Sequence, residues 1–259
     1  MDQTPRHDQQ IEDKLRVWAA NGLVRWFRLT KPSIPRSMNQ GLLEAKGKVV
    51  LFLDDDSAPD DALVRRHLDV YRVDQKIWAV SGKVIQPWDL AEEGAPTEDS
   101  CQDSERVMAG NLSVLREQAI KIGGFDENFV KVAYRFEAEF AHRLMSHGGK
   151  IFFSKDAQIR HLKEIAGGTR SYGDFRKTIM PYHSVGEYYY LFRSKDIGSA
   201  FTLSVNRFVR STFRKCYVSQ PWWILITLIA EFFGFLWAVT FCLKGPKYIE
   251  TTSGVNNAS

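Results

Sequence analysis

Residues 49–56 read Val-Val-Leu-Phe-Leu-Asp-Asp-Asp, five apolar residues that end on three consecutive carboxylates. A continuous apolar run of strand length is the habit of strands covered on both faces, as in parallel sheets between helix layers. In open α/β sheets, ligands gather beyond the carboxyl ends of such strands, which is where Asp54, Asp55 and Asp56 fall. Upstream, Ile11, Leu15, Val17 and Trp18 give residues 9–20 a helical spacing closed by Asn21-Gly22, Leu23–Leu29 reads as a short strand, and residues 37–45 form a second helix pattern ending at Gly47. Downstream, residues 60–71 predict a helix with Asp60 or Asp61 near its N-cap, and residues 77–84 a further strand. This alternation predicts an α/β layer fold. The polar stretch 88–106 predicts a long surface loop, followed by a strand before Leu115, a turn at Gly123-Gly124, a helix over 136–147 and a short strand at 151–153. Residues 172–193 and 206–217 predict amphipathic helices rich in basic and aromatic side chains.

With 259 residues, 44% hydrophobic and 25% charged, the composition excludes a disordered, collagenous or disulfide-scaffold chain. Cys101, Cys216 and Cys242 lack metal-site spacing and predict free thiols. The net charge is +4, and residues 196–259 hold six basic and three acidic groups, so the rest is nearly neutral and carries no stripe for nucleic acid. Within that tail, residues 222–243 carry Glu231 as their only charge and are bracketed by Arg214, Lys215, Lys244 and Lys247. At ~1.5 Å per residue, such a helix crosses a ~30 Å hydrocarbon core. This predicts a transmembrane helix over 221–244, with a juxtamembrane amphipathic region at 196–220 and a disordered tail at 245–259. The basic flank places the preceding domain in the cytoplasm, at an inner or plasma membrane crossed in a single pass. The competing reading is a buried core helix, for which Glu231 is the argument; in the membrane reading Glu231 needs a partner helix or a polar cavity.

Two carboxylates in an Asp-x-Asp arrangement, Asp54 and Asp56, suit a hard divalent ion, Mg²⁺ or Mn²⁺, that keeps positions free for diphosphate oxygens. The plainer reading is an acidic turn capping the next helix. Glu137 and Glu139 lie two apart on a predicted helix and diverge by ~200°, so one can face a site while the other serves structure. A carboxylate facing the metal across a cleft is suited to accept a proton from an attacking hydroxyl. Either acid could instead be a surface charge paired with Arg143 or His142.

KPSIPRSMNQGLLEAKGKVVLFLDDDSAPD (31–60) resembles the run into the metal-binding DxD of family 2, GT-A type glycosyltransferases. GNLSVLREQAIKIGGFDENF (110–129) is similar to the family's acceptor-side segment, and YRFEAEFAHRL (134–144) stands where the family carries its ED helix. The resemblance covers roughly residues 22–162 and implies a Rossmann-like three-layer α/β/α domain over 1–195, followed by C-terminal helices. It implies donor binding by Asp2, Asn39, Asp54, Asp55 and Asp56, metal binding by Asp54, Asp56 and His161, and an acceptor side formed by Gly110, Asn111, Arg116, Gly123, Gly124, Phe125 and Asp126. The family's base falls on Glu137, with Glu139 the alternative, and its preceding acid falls on Phe136, a departure from the ED pair. Asp2 resembles the aspartate that ends the family's second strand, so the chain reads as N-terminally truncated, without first strand and helix. The implied activity is inverting transfer of a sugar from a nucleotide-diphosphate donor to a hydroxyl of a glycan, polysaccharide or lipid-linked acceptor at the cytoplasmic membrane face. A membrane-anchored, non-catalytic remnant that binds sugar or a partner protein is the alternative. A metal-dependent phosphoryl or nucleotidyl transferase ranks lower, because no phosphate-cradling glycine run accompanies the aspartates.

Overall fold

The computed structural model describes residues 1–87, 100–101, 107–162, 172–213, 217 and 220–250. Strands β1 (Val49–Leu53), β2 (Ser57–Pro59), β3 (Ile77–Ile85), β4 (Ser100–Cys101), β5 (Asn111–Leu115) and β6 (Lys150–His161) form one sheet in the order β1-β5-β3-β6-β2, with β4 also on β6. Helices α2 (Ile34–Glu44), α4 (Arg116–Lys121) and α5 (Phe136–Ser146) share a core on one face, and α3 (Leu63–Val70) covers the other. Val50 and Phe52 of β1 pack into the first core and Leu51 into the second, as the period of two in a strand requires. That double covering explains the unbroken apolar run.

The sheet is mixed. Among the described strands only β3 and β6 pair in parallel, and β1 runs antiparallel to β5 at the sheet edge, half-buried, where a strand inside a parallel sheet was expected. Residues 23–29 form no strand: they meet Asp2 in a single bridge through Arg28, and Leu23 and Val24 are exposed. Strand β6 extends far past the expected 151–153 because Lys155 and Asp156, which break the apolar pattern, sit in a bulge. Its register with β3 jumps there from Gly82↔Ser154 to Lys83↔Gln158. The residue 9–20 pattern forms α1 (Gln9–Ala20), closed at Gly22 with φ 69°, but buries no side chain. Helix α2 begins earlier than its apolar pattern because Ser33 caps it and Pro35 occupies its first turn. Helix α3 starts later, after Asp60 accepts a hydrogen bond from Ala62 N–H (2.8 Å). The predicted 88–106 loop lies outside the described residues, apart from β4.

The predicted helix over 172–193 becomes two 3₁₀ turns and α6 (Val185–Ser194), and the one over 206–217 becomes α7 (Ile197–Thr212), capped by Asp196. Helix α8 (Trp222–Lys244) is long and apolar enough to cross a membrane, with a mean hydropathy of 2.1. It does not stand apart. Ala238, Phe235 and Phe241 join the main core with Tyr188 and Tyr189 of α6, so no break in packing follows the expected boundary at residue 195. Glu231 is buried and accepts from Tyr188 Oη (2.7 Å) and from an Arg207 guanidinium N–H (3.2 Å). Its expected partner helices are therefore α6 and α7 of the same chain. The opposite face of α8, including Trp222, Leu225, Phe232, Leu236 and Leu243, is exposed.

Residues 245–250, expected as the start of a disordered tail, return instead to the turn at Gly123-Gly124. Ile249 N–H donates to Gly123 O (2.8 Å), Glu127 N–H to Lys247 O (2.9 Å) and Lys247 N–H to Asp126 Oδ1 (2.9 Å). Residues 251–259 lie outside the described residues. Beneath the same turn, Arg143 holds Glu139 in a buried two-pronged ion pair (2.9 and 2.8 Å) and donates to the carbonyls of Ile122 and Gly124. Glu139→Ala would strand that guanidinium, and removing one partner of a buried pair typically costs about 3–5 kcal/mol. Urea denaturation should show a loss of this size for Glu139→Ala, and a shift under 1 kcal/mol would contradict the role given to the pair.

Candidate active site

The end of β1 and the pairing of β2 with β6 assemble three of the expected metal ligands. Asp54 follows β1, its N–H donating to Gly110 O (3.3 Å), and its side chain lies so close to Gly110 that a Cβ there would collide with Oδ2. Two residues on, the β2–β6 register sets Ser57 opposite His161, and Leu162 N–H donates to Asp56 O (2.7 Å). Asp56 Oδ1 thereby lies 3.0 Å from His161 Nε2, and the ligand atoms of Asp54, Asp56 and His161 all fall within 4.8 Å of one another. His161 Nδ1 lies 2.9 Å from Gln86 Oε1, an acceptor, so Nδ1 carries a proton and Nε2 faces the carboxylates. Two carboxylates and one imidazole form a donor set that fits Mn²⁺, and also Mg²⁺ through the oxygens. The link between Gln86 and His161 has no sequence signal, since the two are 75 residues apart.

Glu137 occupies the first turn of α5, immediately after a backbone segment with three left-handed, non-glycine residues: Lys131 (φ 63°), Ala133 (φ 55°) and Arg135 (φ 69°). Such residues cost of order 1–3 kcal/mol each and persist only where surrounding contacts impose them. Here the contacts include an Arg135–Glu187 ion pair (2.6 Å) and the Lys131 ammonium over the Tyr182 ring. Burial pushes the Glu137 carboxyl up to about 7, and the charge of Asp54 adds to the rise against the pull of Arg135. Glu137 is thus near enough to the aspartates to feel one of them, and is set to exchange a proton near neutrality.

Most of the other expected site residues have partners of their own within the fold. Glu139 is bound to Arg143, whereas Glu137 lies within electrostatic reach of Asp54. Asp2 accepts from His7 (2.6 Å), Trp26 Nε1 (2.8 Å) and Thr4 N–H (2.9 Å); burial alone would raise its pKa, but these bonds hold it at about 2. Asn39 is buried and staples α2 to Phe125, donating to its carbonyl (2.8 Å) and accepting from its N–H (2.7 Å). Asn111 is equally buried, between His67 (2.9 Å) and the carbonyls of Ala157 and Lys83. Arg116 closes the end of α2 on the carbonyls of Leu42 and Leu43. Phe125 is core, and Asp126 accepts from Tyr189 Oη (2.7 Å) and two backbone N–H groups. Gly123 (φ 92°) and Gly124 (φ 65°) supply the left-handed turn between them. Asp55 is exposed beside the cluster.

A mixed sheet between helix layers, with an aspartate pair at a strand end, defines an α/β domain that carries a carboxylate and imidazole cluster at its edge. The family model described as "Glycosyl transferase family 2" matches residues 2–136, and the chain belongs to that family. The match stops one residue short of Glu137. No curated protein sequence matches the chain. Among solved structures, the mannosyltransferase PcManGT from Pyrobaculum calidifontis, in complex with GDP-Man and Mn²⁺, aligns at a TM-score of 0.49 and 14% identity over 90% of this chain and 61% of that one. GalNAc-T7 with UDP, GalNAc and Mn²⁺ aligns at 0.48 and 15% identity over 77% of this chain and 45% of that one. The chain thus spans less than two thirds of the length of either.

Gly110 offers a direct check on the geometry. Gly110→Ala should displace the Asp54 carboxylate and weaken Mn²⁺ binding at least tenfold in calorimetry while leaving the circular dichroism spectrum intact. Unchanged affinity would separate Asp54 from the metal site.

Proposed function

We propose that this glycosyltransferase is metal-dependent and inverting, moving a sugar from a nucleotide-diphosphate donor to a hydroxyl of a glycan, polysaccharide or lipid-linked acceptor. The observation that carries this reading is the cluster of Asp54, Asp56 and His161 within 4.8 Å, close to a Glu137 whose carboxyl titrates at about 7. In this reading Asp54, Asp56 and His161 hold Mn²⁺ or Mg²⁺, which when bound neutralises charge on the departing diphosphate. Glu137 takes the proton from the acceptor oxygen as that oxygen attacks the anomeric carbon on the face opposite the leaving group. Titration of UDP and GDP with Mn²⁺ tests the donor site, with Asp54→Ala/Asp56→Ala as control. A folded chain that binds neither nucleotide would support the non-catalytic alternative.

A base must be deprotonated to act, so kcat/KM should fall about tenfold per pH unit below 7 and level off above it. Glu137→Gln should lower kcat by about 10²–10⁴ and abolish that limb. The same raised pKa stabilises the fold below about 4.5, the unfolded value, and this contribution is lost as pH rises through about 7. At pH 8, Glu137→Gln should therefore unfold at a higher temperature than the parent chain. A less stable variant would contradict the buried, disfavoured charge.

The membrane part of the proposal assigns the exposed face of α8 to lipid. Because α8 meets its own domain from Thr227, which pairs with Tyr217 (3.1 Å), to Cys242 in the core, the favoured arrangement has the helix lying along the domain at the cytoplasmic face. A single-pass span is the competing arrangement. With native cysteines replaced by serine, Trp222→Cys and Lys244→Cys should both react with a membrane-impermeant maleimide from the domain's side. Protection of one end alone would mean a span.

A further inference from the structure

Between α6, α7, α8 and the segment before α5 lies a cavity of about 310 Å³ that neither the metal cluster nor the donor reading uses. Its polar lining includes His183, Glu187, Arg207 and Glu231, and its apolar lining includes Tyr134 and Phe175. Both ring nitrogens of His183 and Nε of Arg207 are buried without a hydrogen-bond partner among the described residues. Leaving such groups unmatched is costly, which favours a polar occupant. The His183 ring sits among aromatic neighbours, 5.9 Å from Tyr134 and 6.2 Å from Phe175. Arg207 spans the two carboxylates, 3.7 Å from Glu187 and 3.2 Å from Glu231. The lining therefore carries no surplus positive charge to attract a phosphate or carboxylate.

We infer that this cavity is the acceptor subsite and that it takes a neutral saccharide ring. The inference rests on the glycosyl-transfer reading above. Carboxylates accept from sugar hydroxyls, His183 and Arg207 donate to them, and the half-exposed Tyr134 ring covers an apolar C–H face. The volume stands at the small end of the ~300–1,000 Å³ range of ligand sites and admits one or two sugar rings.

The cavity and the base are built as one unit. Tyr134 lies three residues before Glu137, a separation of at most about 11 Å. Gly186 of α6 lies so close to this segment that a Cβ would strike Tyr134 O, and Glu187, which lines the cavity, binds Arg135. The left-handed residues at 131, 133 and 135 thus bring a cavity wall and the proton acceptor together, and Glu231 gains a purpose at the middle of an apolar helix.

The test uses the full chain in detergent and saturation-transfer NMR with methyl glycosides of glucose, galactose, mannose, rhamnose and N-acetylglucosamine, with inositol phosphate as the anionic control. At least one glycoside should give a signal that drops fivefold or more in His183→Ala and in Tyr134→Ala. Tyr134 is exposed enough for its replacement to spare the core, so that variant decides the matter if His183→Ala unfolds. The inference is overturned if no glycoside binds, if binding is equal in the variants, or if inositol phosphate binds in preference. Titration of UDP and GDP with Mn²⁺ on the same samples reports separately on the donor reading, so the two can fail independently.

Discussion

The architecture depends on satisfying the backbone of one left-handed glycine turn buried among three layers. Gly123 and Gly124 turn the chain back under the sheet, and their flanking carbonyls point inward, where an unmatched peptide group is expensive. Arg143 answers two of them and is itself neutralised by Glu139. Asn39 matches both polar groups of Phe125, and Asp126 gathers Tyr189 and the backbone of residues 128 and 247. Through this single turn α2, α5, α6 and the segment after α8 become mutually dependent. The close approach of Asn39 and Ile249 leaves no room for a Cβ at Gly124.

The residues to which the proposed chemistry is assigned sit at the margin of that network. Asp54 and Asp56 lie just beyond β1 and are exposed or half-buried, positioned by backbone hydrogen bonds to Gly110 and Leu162. Glu137 projects from the first turn of the same helix whose next turns carry Arg143. Glu139 and Glu137 thus lie on different faces of α5, Glu139 buried against Arg143 and Glu137 only partly covered, in keeping with their ~200° divergence.

Much of this was legible in sequence because it rests on local chemistry. The apolar run of β1, the aspartates after it and the glycine pair each carry their own signature, and the family resemblance placed them in order. What sequence hid was long-range. The bulge in β6 disguised a twelve-residue strand as a three-residue one. The resemblance assigns Asp2, Asn39, Asn111 and Arg116 to the donor and acceptor sides, yet here they satisfy buried backbone or neighbouring side chains, a use that depends on partners up to 88 residues away. Glu231 looked like a cost paid within a membrane; its partners, Tyr188 and Arg207, come from helices that periodicity located only roughly. The i,i+4 spacing of Glu139 and Arg143 was the available hint that this acid was already engaged.

The return of residues 245–250 to the central turn has a consequence for the order of folding. Asp126 is matched by Lys247, 121 positions later in the chain, so the turn's hydrogen bonding closes only after nearly all the described residues exist. Contacts of such separation must bear their loop-closure entropy before they return any stability, and they slow the approach to the native state. During synthesis the sheet and α5 emerge with the Asp126 carboxylate only partly matched and the inner face of α6 uncovered. The docking of α8 and its trailing segment therefore supplies the contacts that finish the hydrogen bonding of this turn.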